Sequence, residues 1–78
     1  MGTVNLTVAP GTWIVADCGK MPSERGCKLV MMAPESQKAD LESAGIGHMV
    51  RDHGHTEADA RTAIEEHGDE IYERVTVT

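Results

Sequence analysis

The sequence predicts an α+β domain: a small antiparallel sheet of three to four short strands with two helices packed on one face. Three observations carry this. Apolar and polar residues alternate near both ends of the chain, the period-two signature of half-buried strands. Between them lie two stretches with apolar residues three and four positions apart, each opened by residues suited to helix starts. And 78 residues make one domain, 1–78, with a small core worth only a few kcal/mol of net stability.

In chain order, Val4, Leu6 and Val8 alternate with Asn5 and Thr7, and Pro10-Gly11 then turns the chain. The run TWIVADC has the β-branched and aromatic content of a strand. Alternation puts Ile14, Ala16 and Cys18 on one face, with Trp13 and Val15 on the other. Gly19, Pro22, Ser23 and Gly26 mark an irregular loop, after which GCKLVMMA forms another strand with Cys27, Leu29 and Met31 on one face. Paired as a hairpin, the two runs set Cys18 and Cys27 at its open end beside the loop, both sulfurs facing inward.

Pro34 and Ser36 open the first helix, which should run to about His53 and be capped by Gly54. Leu41, Ala44, His48, Met49 and Val50 follow helical spacing. Gly45 and Gly47 weaken the segment by roughly 1 kcal/mol each relative to Ala, so either close packing on the sheet or another restraint is expected there. Thr56-Glu57-Ala58-Asp59 has capping-box character and starts a second helix. Its apolar stripe is Ala60, Ile64, His67 and Ile71, opposite an exposed face of Glu65, Glu66, Asp69 and Glu70. After Tyr72 the tail ERVTVT alternates again, a last strand that would lie beside the N-terminal one.

Composition narrows the functions. Aromatic residues make up 3% of the chain, with one Trp, one Tyr and no Phe, so burial falls to Val, Ile, Leu, Met and Ala. Thirteen acidic residues against seven scattered basic ones give a net charge of -6, which disfavours nucleic acid and anionic membrane surfaces as partners. No secretory signal or apolar span is visible, which points to the cytoplasm. Phosphate-binding glycine loops, a Ser/His/Asp set and a C-x-x-C motif are all missing, and a Cys/His nucleophile would need a cleft and a lowered thiol pKa. Catalysis is not expected.

The chemistry that stands out is a soft-metal donor set. Cys18 and Cys27 precede a helix that ends in His48, His53 and His55, the ligand order of a Cys2His2 zinc module. Zinc would also supply folding free energy that a thin core lacks. Eight residues separate the two cysteines, too many for a nucleic-acid-reading finger. His48 and His53 are five positions apart, about 140° around an ideal helix, so both reach one ion only if the last turn loosens before Gly54. His55 competes with His53 as fourth ligand. A Cys18–Cys27 disulfide also suits a hairpin but is rare in a reducing cytosol, and the thiols could simply be buried. The histidines beside Gly54 could serve only as helix caps, and His67 is best read as a partly buried histidine with one hydrogen bond.

The segments DCGKMPSERGCKLVMMAPE and GHMVRDHGHTE, within a span from about Trp13 to Glu66, resemble a small prokaryotic domain-of-unknown-function family, number 1059. The matching positions are Cys18, Cys27, His48, His53 and Gly54, with His55 at a less regular histidine. Gly19 stands where the family often has Arg, and Gly45 and Gly47 where Ala or Val is common. The resemblance brings no activity; it implies that these Cys and His positions act together. The leading expectation is therefore a metal-binding module for a divalent ion, zinc foremost, with no catalysis of its own. The alternatives are a small interaction or assembly domain with structural cysteines, using an exposed sheet edge or Met face, and a thiol-based redox protein. The sequence names no protein partner and leaves self-association open.

Overall fold

Strand β1 (Gly11–Asp17) is two-faced because its side chains alternate: Ile14 and Ala16 are buried, while Trp13 and Val15 between them remain partly exposed. The computed structural model describes residues 7–78, in which β1 is followed by β2 (Val30–Pro34), α1 (Lys38–His53), α2 (Glu57–Ile71) and β3 (Tyr72–Val77). The strand order is β2-β1-β3, both pairings antiparallel. The register sets Ala16 opposite Met31 and Tyr72, and Ile14 opposite Ala33 and Arg74. This is the α+β arrangement expected, with three strands among the described residues. Val4 and Leu6, which began the first expected strand, lie outside the described residues, and residues 7–10 form no strand.

Two element boundaries and one strand pairing differ from the sequence pattern. Cys27 does not open a strand: residues 27–29 are irregular, and β2 begins at Val30. Pro34 closes β2, and a single 3-10 turn, Glu35–Gln37, precedes α1. The C-terminal strand joins the sheet against β1, because β3 follows α2 directly and returns along the free edge of the central strand. The end of α1 and the start of α2 are as expected. Gly54 caps α1 at φ 73, a left-handed conformation that suits glycine, and Thr56 caps α2 by accepting from the Asp59 N–H.

The buried residues form two clusters. Ile14, Ala16 and Leu41 join the sheet to α1, while Met21, Met49, Ala60, Ile64 and Ile71 fill the space among the two helices and the loop after β1. Tyr72 packs against both. Among the described residues the valines contribute to neither: Val15 and Val75 are half-buried, and Val30, at 54% exposed, and Val50, at 40%, face outward. Ala44 is also exposed, because the apolar side of α1 narrows to Leu41, His48 and Met49. His67 breaks the regular backbone of α2 (φ -113, ψ 15), and its Nδ1 lies 3.1 Å from Glu70 Oε1. Among the described residues no helix is long and apolar enough to cross a membrane.

Candidate metal centre

Two 3-10 turns, Cys18–Lys20 and Pro22–Glu24, shape the segment after β1. Asp17 starts the first by accepting from the Gly19 N–H at 3.1 Å, and three backbone bonds knit the loop: Met21 N to Cys18 O, Glu24 N to Met21 O and Cys27 N to Glu24 O, each 2.9 Å. The Cys18 N–H reaches Leu29 O at 3.1 Å and closes the base of the loop. Met21 anchors it: only 2% exposed, this residue places a loop side chain in the helix-facing core.

The loop meets the last turns of α1, and there Cys18, Cys27, His48 and His53 converge with one donor atom each within 4.8 Å of all the others. Cys18 Sγ lies 3.6 Å from His53 Nε2, Cys27 Sγ lies 3.5 Å from His48 Nε2, and the two Nε2 atoms are 3.1 Å apart. His48 is 6% exposed and is the buried polar residue of the core; the other three are half-buried. Both cysteines are free thiols. These four residues are positioned to bind a metal ion.

Two carboxylates complete the arrangement. His48 Nδ1 lies 2.9 Å from Asp52 Oδ2, one helical turn on, and His53 Nδ1 lies 2.9 Å from Glu24 Oε2 in the loop. A carboxylate only accepts, so each Nδ1 carries the proton and donates it. In a neutral ring each Nε2 is then the nitrogen free to act as a ligand, and each faces the other and one sulfur. The hydrogen bond from His48 holds the Asp52 carboxyl below its usual range. Glu24 is likewise lowered, chiefly by the hydrogen bond from His55, against an opposing effect of burial. Burial pushes the Cys18 thiol up to about 12, and the neighbouring Cys27 adds to the shift by hydrogen bond and charge.

Of the five candidate ligands, the structure brings four together. His55 stands outside the group, its Nε2 2.6 Å from Glu24 Oε1. The hairpin picture placed the thiols side by side at strand ends; instead Cys18 opens a 3-10 turn and Cys27 ends the loop. Three participants went unread in the sequence: Met21, Glu24 and Asp52. Asp52 was findable as an acid four positions after a histidine on a helix, a spacing that places side chains together. Glu24 carries no local signal, because its partners lie about thirty residues away. Compared with the models of known protein families, with curated proteins and with solved structures, the chain matches none of them.

Proposed function

We propose that this protein is a small zinc-binding module in which Cys18, Cys27, His48 and His53 hold one ion and the ion staples the fold. The observation that supports this most strongly is the 3.1 Å approach of two imidazole nitrogens whose other ring nitrogens both donate to carboxylates. Two imidazole nitrogens that close, each also beside a sulfur, form the donor set that a cation would draw onto itself. The spacing also suits the ion. Zn–S bonds of about 2.3 Å and Zn–N bonds of about 2.0–2.1 Å give a tetrahedron with S···N edges of about 3.6 Å and an N···N edge of about 3.3 Å. Three of the six separations here, 3.6, 3.5 and 3.1 Å, lie near those edges, and all six are within 4.8 Å.

Four protein donors leave no open coordination position, which favours a structural ion over a catalytic one. The likeness to the domain-of-unknown-function family is part of the same proposal, as is a cytoplasmic setting that keeps the thiols reduced. A thiol-based redox role fits less well, because a Cys18 thiol raised to about 12 carries little reactive thiolate. Native mass spectrometry of protein purified without chelator, from cells supplied with zinc, should show one ion per chain. Cys18→Ser and Cys27→Ser should each lose it. Metal-free wild-type protein under those conditions would refute the proposal.

A further inference from the structure

Glu24 sits between the two thiol ligands in sequence, six residues after Cys18 and three before Cys27, yet it touches neither sulfur in the hydrogen-bonded network. Its carboxylate is divided instead. Oε2 lies 2.9 Å from His53 Nδ1, and Oε1 lies 2.6 Å from His55 Nε2. The side chain is only 12% exposed, while those of His53 and His55 are 19% and 27% exposed. A carboxylate shielded to that degree and engaged at both oxygens has little freedom to turn.

We propose that Glu24 is the positioning residue of the centre, clamped by His55 so that it fixes the His53 ring with Nε2 directed at the ion. The inference rests on the zinc-site proposal and assigns His55 a role that a ligand list misses: it acts on the metal through Glu24 and His53, without touching it. Three features support this. His53 lies on the last residue of α1, where a helix side chain has the fewest neighbours to hold it. Gly54 then turns the chain in the left-handed conformation, and the His55 N–H returns to Met49 O at 3.2 Å, which brings His55 back beside the loop. And Glu24 ends the Pro22–Glu24 turn, whose backbone is bonded to both Met21 and Cys27. The Glu24 contacts therefore tie the thiol-bearing loop to the imidazole-bearing helix before any ion enters. His48 has its own carboxylate, Asp52, but that pair lies within one helix and ties nothing across the site.

Outer partners of this kind are worth about 10–100-fold in metal affinity. Zinc affinity, measured by competition with a chromophoric chelator, should fall by that factor in Glu24→Ala while one ion per chain is still bound. In Glu24→Gln only one side-chain oxygen can still accept, so the loss should be intermediate. His55→Ala should weaken zinc binding up to about tenfold in the wild-type background and have no further effect in Glu24→Ala. Equal losses from His55→Ala in both backgrounds, or unchanged affinity in Glu24→Ala, would overturn the proposal.

A second measurement separates this from failure of the zinc site itself. In zinc-free protein, the His53 Nδ1 proton should be visible by nuclear magnetic resonance and slow to exchange in the wild type, and lost in Glu24→Ala. Cys18→Ser should abolish zinc binding and leave that proton signal in place. If the wild type binds no zinc, the zinc reading fails on its own; if the proton persists in Glu24→Ala, the positioning role fails, whatever the zinc result.

Discussion

His48 and His53 cross their rings at 86° with Nε2 atoms 3.1 Å apart, although five positions separate them on one helix. That spacing is about 140° on an ideal helix and implied a loosened last turn. The helix in fact runs intact to His53. Cα–Cβ bonds on a helix tilt toward its N-terminus, so the His53 ring leans back over the turn that carries His48, and the two imidazoles meet through their own length. Because His55 is held by Glu24, it is not free to replace His53. His48→Ala and His53→Ala should therefore be equally severe, each lowering zinc affinity by more than the roughly hundredfold limit of an outer partner. Chelator competition on the two variants checks this, and a His53→Ala protein within tenfold of wild type would contradict it.

Met21 is the apolar foot of the ligand loop, 2% exposed and packed with Met49, Ala60, Ile64 and Ile71. Buried Met→Ala substitutions cost about 2–5 kcal/mol through lost burial and the cavity left behind. In a domain this size that is comparable to the whole core. Met21→Ala should be largely unfolded without zinc and partly rescued by excess zinc, since an ion that binds only the folded state stabilises it by mass action. Circular dichroism melts across a zinc titration would show it.

The glycines divide by what a side chain would meet. A Cβ on Gly19 would overlap the Cys27 carbonyl oxygen, so the two thiol-bearing segments approach closely only because residue 19 has none. In α1, a Cβ on Gly45 would find Ile64 Cδ1 at 3.6 Å and Met31 Cε at 3.9 Å, ordinary contact distances, and one on Gly47 would meet nothing within 4 Å. Gly45→Ala and Gly47→Ala should each stabilise the protein by about 0.5–1 kcal/mol through helix propensity, a rise in Tm of several degrees for a domain this small. Gly19→Ala should destabilise the loop and weaken zinc binding. Melts and chelator titrations of the three variants test both signs.

Much of this was legible because it is local. The period-two run around Ile14 and Ala16, the Thr56 cap, the Gly54 stop and the Ala60–Ile64–Ile71 stripe each depend on neighbours a few residues away. The order of thiols and imidazoles was likewise visible. The start of β2 was not, since the alternation of Cys27, Leu29 and Met31 reads as one continuous strand, and the loop's own hydrogen bonds decide the boundary. Nor was the choice between His53 and His55. They flank Gly54, and only the position of Glu24, fixed by the fold, makes one a neighbour of the sulfurs and the other a neighbour of the carboxylate.

Alkali should separate the zinc-free protein from the loaded one. Burial raises the Cys18 thiol from 9.0 to about 12, and burial followed by the charge of Glu42 raises the Tyr72 phenol from 10.0 to about 12. The unfolded chain releases these protons near pH 9 and 10, whereas the folded protein keeps them. Above pH 9 the unfolded state thus binds fewer protons, and stability falls as pH rises. The contribution is intact below pH 9 and gone above about 12. Zinc reverses the effect at Cys18, because coordination requires the thiolate and expels the proton, so zinc affinity rises with pH through the same window. Melting temperatures of chelator-treated protein should drop between pH 9 and 11, and those of zinc-loaded protein should drop less. Tyr72→Phe should flatten part of the slope in both forms, since it removes a proton that zinc does not touch. A zinc-free protein whose melting temperature is level from pH 9 to 11 would show that these two groups are not shielded as the fold implies.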